Sequence, residues 1–232
     1  MLTHAILAAG RGTRMYGPSG GNKAMARVGS GYLIDYVLKE TERLRPQETI
    51  VLVRVGDEDT PRRVRTLTTS PVSVIESPSD GTGPGVRRLL AAARGDKIAL
   101  TTCDLAAPRG ELTSFFENVK AMPNLDAESC VIAISPVDDQ DPVPIFVHLS
   151  EDRVVDYGKK SPRSPVAFAG ARLMNRGFAD LLLKSDAVFA TDTEMMSTIV
   201  KEHPGALRAQ MVRSLFDVDN ADALRRAEAI TM

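Results

Sequence analysis

Residues suited to phosphate chemistry cluster at a few points of the chain. Gly10 and Gly12 follow the apolar run from Ala5 to Ala9, Arg14 comes next, and Lys23 follows Gly21-Asn22. Glycine lets a backbone bend tightly and present its N–H groups, and bare N–H donors beside a guanidinium and an ammonium suit phosphate oxygens. A second glycine group, Gly81-Thr82-Gly83, lies farther on, and Asp104 closes the apolar stretch Ile98–Cys103. A carboxylate at a strand end can hold Mg²⁺, which takes one or two carboxylates and completes its shell with phosphate oxygens and water. These parts suggest a nucleoside triphosphate with magnesium. Two common phosphate loops are excluded. A dinucleotide fingerprint beginning at Gly10 needs a third glycine where Met15 stands, and a P-loop needs Gly-Lys-Ser/Thr where this chain has Asn22-Lys23-Ala24.

The elements that must position these residues follow an alternating pattern. Ala5–Ala9 has the continuity of a strand covered on both faces. Leu33, Ile34, Val37, Leu38, Thr41 and Leu44 recur at helical spacing, with Pro46 as a stop. Thr49–Val53 is β-branched and continuous, Pro61 opens a short helical piece with Val64 and Leu67, and Val72–Ile75 is another short strand. A loop is expected from Glu76 to Gly85, then a helix with Val86, Leu89, Leu90 and Ala93 on one face, then a strand from Lys97 to Cys103. Leu112, Phe115, Phe116 and Val119 mark an amphipathic helix before a buried strand, Ser129–Ser135. Such alternation predicts an α/β fold, one Rossmann-like domain over residues 1–232 with a mostly parallel, mixed central sheet flanked by helices.

From Pro136 the rhythm breaks. Pro136, Asp138, Asp139, Asp141, Pro142 and Pro144 precede short strand candidates at Ile145–Leu149 and Arg153–Tyr157, and a basic, proline-rich stretch runs from Gly158 to Pro165. Residues 136–165 therefore read as a small inserted β hairpin or lid. The sheet is expected to resume at Val166–Leu173, followed by a helix with Phe178, Leu181 and Leu182. Thr191 to Glu194 has capping-box spacing for a helix whose core face is Met195, Met196, Ile199 and Val200, and an Ala-rich helix follows Asp219-Asn220. Ligands of open α/β sheets bind beyond the carboxyl ends of the strands, which is where Gly10, Gly12, Arg14, Gly81, Thr82 and Asp104 fall, with Lys23 in the first long loop.

Composition narrows the partners. The 232 residues carry a net charge of −1, 43% apolar residues and no Trp, which disfavours a nucleic-acid surface and points to a small molecule. The first residues lack a cationic leader and no segment has the length of a membrane span, so a cytoplasmic protein with no membrane partner is expected. Cys103 and Cys130 lie in apolar runs and read as reduced core residues. His4, His148 and His203 show no metal-ligand spacing. Self-association is left open.

The stretch Leu7-Ala-Ala-Gly-Arg-Gly-Thr-Arg-Met15, with Asn22-Lys23-Ala24-Met25 downstream, resembles the signature of the nucleotidyltransferase superfamily, whose members include sugar-1-phosphate nucleotidyltransferases and molybdopterin guanylyltransferases. The resemblance extends to Gly81-Thr82-Gly83, similar to the base-reading loop, and to Thr102-Cys103-Asp104-Leu105, similar to the metal-binding strand end. Val155-Asp-Tyr-Gly-Lys159 with Ala169-Gly170 resembles the acceptor-side segment of the sugar-phosphate branch, and Asp217-Val-Asp219-Asn220 the motif holding a second metal acid. Asn22 departs from the family's usual proline, and Cys103-Asp104 echoes the molybdopterin branch.

The resemblance implies attack of an acceptor oxygen on the α-phosphorus of an NTP, with pyrophosphate leaving. An acceptor phosphate is already ionised near neutral pH, its second pKa being about 6, so no general base is needed. The implied catalytic residues are Arg14 and Lys23 on the triphosphate and Lys159 on the acceptor phosphate. The implied nucleotide-binding residues are Ala8, Gly10, Gly12, Gly81 and Thr82, and Asp104 and Asp219 would hold Mg²⁺. Asp219 also fits the plainer role of N-cap to the last helix. Arg62, Arg63, Arg65, Arg87 and Arg88 read as exposed helix faces. The expected activity is transfer of a nucleoside monophosphate to a small phosphorylated acceptor such as a sugar 1-phosphate. The alternatives are guanylyl or cytidylyl transfer to a cofactor precursor such as molybdopterin, and a regulatory module that binds nucleotide without turnover.

Overall fold

A computed structural model describes residues 1–231 except 18, 79–80, 124 and 138–142. The acidic positions Asp138, Asp139 and Asp141 therefore lie outside the described residues, as do Pro142, Pro18, Ser79 and Asp80. The chain opens with β1 (Leu2–Ala8), a single helical turn α1 (Thr13–Tyr16), a 3₁₀ turn over Lys23–Met25, and a small ribbon of β2 (Arg27–Val28) and β3 (Gly31–Tyr32). Then come α2 (Leu33–Glu42), β4 (Glu48–Arg54), α3 (Asp59–Leu67), β5 (Val72–Ser77), α4 (Thr82–Ala92), β6 (Lys97–Thr102), β7 (Leu105–Ala106) and α5 (Glu111–Ala121). The remainder is β8 (Cys130–Pro136), β9 (Phe146–Ser150), β10 (Arg153–Gly158), β11 (Val166–Asn175), α6 (Arg176–Lys184), α7 (Asp192–Glu202), β12 (Leu207–Met211), β13 (Phe216–Asp217) and α8 (Ala221–Thr231).

Nine of the thirteen described strands form one sheet in the order β5-β4-β1-β6-β11-β8-β12-β10-β9, with β9 also touching β11, and the other four form the ribbons β2–β3 and β7–β13. The order β5-β4-β1-β6 is parallel throughout, as the run of βα units demands. β11 runs antiparallel to β6 and β8, whereas β12 is parallel to β8. The hairpin β9–β10 joins this sheet at its edge, and through the pair Ala167–Phe146 it turns back onto β11. Strands β11, β8, β12, β10 and β9 therefore close on themselves beside the open parallel half.

Both faces are covered by apolar helix stripes. Val86, Leu89 and Leu90 of α4, Phe178 and Leu182 of α6, and Met195, Met196 and Ile199 of α7 pack on one side. Leu112, Phe115, Phe116 and Val119 of α5 pack on the other, joined by Ile34 and Leu38 of α2 and Val64 of α3 nearer the parallel edge. Cys103 and Cys130 are buried free thiols among this apolar packing. Among the described residues, no helix is long and apolar enough to cross a membrane.

Several boundaries differ from expectation for physical reasons. α3 starts at Asp59 and takes Pro61 into its first turn, where the missing N–H has no helical partner to lose. α4 likewise starts at Thr82, so Gly83-Pro84-Gly85 is its first turn rather than loop. Strand β12 gives a weak sequence signal, because Leu207-Arg-Ala-Gln-Met211 is short and carries only two buried apolar positions, Leu207 and Ala209. Arg63 is not simply a solvent-facing residue: it forms two hydrogen bonds to Asp35, at 2.7 and 2.5 Å. Arg87 donates to the carbonyls of Leu183, Ser185 and Ala187, closing the C-terminal end of α6.

One buried polar group makes the fold acid-sensitive. His4, 1% exposed on β1, shares its ring nitrogens between the hydroxyls of Thr101 at 3.0 Å and Thr41 at 3.1 Å. Burial lowers its pKa from 6.5 to about 3. Below pH 6.5 the unfolded chain takes up a proton that the folded chain refuses until about pH 3, so this contribution to stability is whole above 6.5 and is lost progressively on acidification. Between pH 7 and pH 5, wild type is expected to lose about 2 kcal/mol more unfolding free energy than His4→Gln in urea titrations. Parallel losses in the two proteins would show that His4 does not control the slope.

Candidate active site

The first glycine turn is built by local hydrogen bonds. After β1 the backbone reaches Gly12 in the left-handed region at φ 59°, a conformation that starts α1 and that a side chain would strain. Met15 and Tyr16 donate their N–H groups to the Gly12 carbonyl at 3.0 and 2.9 Å, and Gly21 N–H returns to Arg11 O at 2.8 Å. Asn22 then anchors the chain, its Nδ2 donating to Asp57 Oδ1 at 2.9 Å and Thr60 Oγ1 at 3.0 Å. Side-chain hydrogen bonds thus fix the residue before Lys23.

The acids arrive from two other places. Asp104 follows β6, and β13 pairs antiparallel with β7 so that Asp217 lies opposite Leu105. Val218 N–H donates to the Asp104 carbonyl at 2.9 Å, which brings Asp219 alongside. Lys23 Nζ bonds to Asp104 Oδ2 and also to Asp219 Oδ1, the latter at 2.5 Å. Arg14 Nη1 pairs with Asp219 Oδ2 at 2.5 Å. Burial alone would lower the Lys23 pKa, but Asp104, Asp219 and Asp217 together hold it above the ordinary lysine range. Burial likewise pushes Asp104 upward, and the Lys23 ammonium outweighs it and keeps the carboxyl below its usual value. The ammonium thus stays charged and both acids on it face the same point.

The helix-cap alternative for Asp219 is displaced by its neighbour. Asn220 Oδ1 accepts from Ala223 N–H at 2.9 Å, the cap bond of α8, while Asp219 faces Lys23 and Arg14. Asn220→Ala is expected to cost about 1 kcal/mol of unfolding free energy and to leave any catalytic rate near wild type. A rate loss matching that of Asp219→Ala would put the cap, rather than the acid, in control of the site.

These groups line one cleft of about 410 Å³. Its lining includes Gly10, Gly12, Arg14, Lys23, Gly81, Thr82, Asp104, Asp217 and Asp219. Lys159, Gly170 and Phe168 come from the β9–β11 end. Ala8 is the exception: its side chain is buried in the cluster of Ile6, Ile34 and Val51, and its neighbours Leu7 and Ala9 reach the cleft instead. Gly81 and Gly83 are dictated by packing, since a Cβ on either would collide with the carbonyl oxygen of Ala190 or Phe189. Thr82 Oγ1 accepts from Asp192 N–H at 2.9 Å, tying the start of α4 to that of α7.

Sequence reasoning passed over two acids of the cleft, Asp217 and Asp192. Asp217 had a signal, because alternate residues of an extended segment share a face and Asp217-Val-Asp219 is such a pair. Asp192 had none, standing inside the Thr191–Glu194 capping box, which does form, with Glu194 N–H donating to Thr191 Oγ1 at 3.2 Å.

The fold and this cleft define the class of nucleotidyltransferases. The model of the MobA-like NTP transferase domain matches residues 4–226, and the chain belongs to that family. Over 96 residues it is 30% identical to the bifunctional protein GlmU of Thermobifida fusca (strain YX), a match covering 41% of this chain and 19% of that protein. The chain thus aligns with about a fifth of its curated relative. Among solved structures, the inositol-1-phosphate CTP transferase from T. maritima superposes with a TM-score of 0.82 at 16% identity, over 99% of this chain and 94% of that one. A putative glucose-1-phosphate thymidylyltransferase from Bacillus anthracis gives 0.78 at 16% identity, with the same coverage of 99% and 94%. At that identity the likeness establishes the fold.

Proposed function

We propose that the protein transfers a nucleoside monophosphate from an NTP to a small phosphorylated acceptor such as a sugar 1-phosphate and releases pyrophosphate. The observation that carries this reading is the meeting of Lys23 with Asp104 and Asp219 after the glycine turn, with Arg14 on Asp219 and Lys159 lining the same cleft. Arg14 and Lys23 hold the β- and γ-phosphates and neutralise the departing pyrophosphate, a role in which cations in a partly dry cleft are worth several kcal/mol. The Gly10 turn and Gly81-Thr82 hold the base. Lys159 neutralises the acceptor phosphate, whose oxygen is already anionic and needs no base, so the catalytic task is orientation and charge balance.

The donor set fits magnesium. Two carboxylates on one ammonium have oxygens close enough to share a cation, and Asp104 Oδ1 is buried without a hydrogen-bond partner among the described residues. Asp104 and Asp219 would hold the ion, and when bound it supplies Lewis-acid neutralisation of phosphate oxygens. The test is a pyrophosphate-release screen of four NTPs against hexose 1-phosphates, inositol 1-phosphate and a pterin phosphate, with Mg²⁺ and with EDTA. Turnover of a sugar or cyclitol phosphate is expected. Turnover of the pterin alone would select the cofactor-precursor reading. Tight nucleotide binding with no product from any acceptor would select the regulatory module.

A further inference from the structure

The largest fully buried side chain is that of an arginine. Arg172 of β11, 1% exposed, lies at the bulge where the register of β11 against β8 shifts. Its Nη2 donates to Asp192 Oδ1 at 2.8 Å. Its Nε and Nη1 are buried without a hydrogen-bond partner among the described residues, and so is the hydroxyl of Tyr157. The rings of Tyr157 and Phe168 lie 5.8 Å apart, and the guanidinium carbon is 5.9 Å from the Phe168 ring. A fully buried guanidinium is costly, and an apolar residue would pack there at lower cost. Such a cost calls for a task outside the core, and its ion-pair partner supplies one.

Asp192 is the first residue of α7 and lines the cleft together with Phe168 and Lys159. Arg172 holds one of its oxygens from behind, and Thr82 fixes its backbone N–H. A carboxylate so placed repels phosphate and accepts hydrogen bonds, and because it lines the cleft with Lys159 and Phe168 the group it meets is taken as a donor on the acceptor. We propose that Asp192 reads a hydroxyl of a polyhydroxylated acceptor phosphate, and that Arg172 is the positioning residue that holds this carboxylate against the cleft wall. The inference rests on the transferase reading above and adds to it a specificity group whose partner is the acceptor's carbon skeleton rather than its phosphate.

The test uses the full chain, with glucose 1-phosphate and inositol 1-phosphate as probes, and the monodeoxy analogues of whichever is turned over. Asp192→Asn is expected to raise the acceptor KM about 10- to 100-fold, the range of a hydrogen bond to a charged group, with the nucleotide KM within twofold. One monodeoxy analogue should show the same loss with wild type and no further loss with Asp192→Asn, because the bond is then already absent. Arg172→Met should follow Asp192→Asn, and Arg172→Lys should recover part of the loss. Where Arg172→Met does not fold, Asp192→Asn, at the cleft surface, carries the test. An unchanged acceptor KM in Asp192→Asn, or equal losses on every deoxy analogue, overturns the inference while leaving the transferase reading intact. Failure of wild type on every acceptor overturns both.

Discussion

Lys23→Ala is expected to lower turnover by on the order of 10³-fold while making the protein's stability more dependent on Mg²⁺. The first effect follows from removing an ammonium that the proposed mechanism places on the leaving pyrophosphate, where a single cation contributes rate factors of about this size. The second follows from what Lys23 does before substrate arrives. It is bonded to Asp104 and Asp219, and the three side chains are 11, 14 and 16% exposed. Without it the two carboxylates repel each other in a partly dry site. Breaking a fully buried pair costs about 3–5 kcal/mol. Partial hydration reduces that here to about 2 kcal/mol, near 5 °C in melting temperature for a chain of this size. A divalent cation relieves the same repulsion, so Mg²⁺ should raise the melting temperature of Lys23→Ala by more than that of wild type. Equal shifts in calorimetry would mean that the two acids do not share a cation site. Near-wild-type turnover would remove Lys23 from the chemistry.

The parts of this site that the sequence revealed are those in which a local rule and a chemical need coincide. Gly12 must be glycine because the turn is left-handed, and the turn precedes Arg14 and Lys23, so conformation and charge could be read together. Asp104 was legible because a carboxylate after six residues of continuous strand, Lys97–Thr102, has little structural reason to be there. Asp219 was ambiguous because its neighbour can cap a helix, and only tertiary contact separates the two: Asn220 takes the cap and Asp219 the ion pairs. Gly81 and Gly83 stood out as a glycine pair, but the close approach of segment 189–190, which leaves no room for a Cβ at either, is a tertiary constraint the sequence does not show. Arg172 and Asp192 were beyond reach. One sits in a strand of otherwise apolar type and the other in a capping box, and the pair forms only where the tertiary fold brings the start of α7 to Arg172 of β11. The parallel half of the sheet was read from the βα rhythm, whereas β12 and the closure of β9 onto β11 depend on pairings between distant segments that periodicity does not encode.

Asp104 can be conserved in shape and changed in charge, because Asp104→Asn keeps the packing and removes only the carboxylate. Lys23 remains paired with Asp219 in this variant, so little stability should be lost, about 1 kcal/mol or less. Turnover should nevertheless fall by on the order of 10³-fold, the scale of removing one oriented charge from such a site. The direction of the metal response separates two explanations. Were Asp104 only an anchor for Lys23, its loss would leave the Mg²⁺ requirement unchanged, and Lys23→Ala combined with Asp104→Asn would be no slower than Lys23→Ala alone. Were Asp104 a ligand, the Mg²⁺ concentration for half-maximal rate should rise at least about tenfold, because one of two carboxylates has gone from an ion that takes few protein ligands. The double variant should then be slower than either single one. A magnesium titration of the two single variants and the double variant decides the matter, and the expected result is a shifted requirement in both proteins carrying Asp104→Asn.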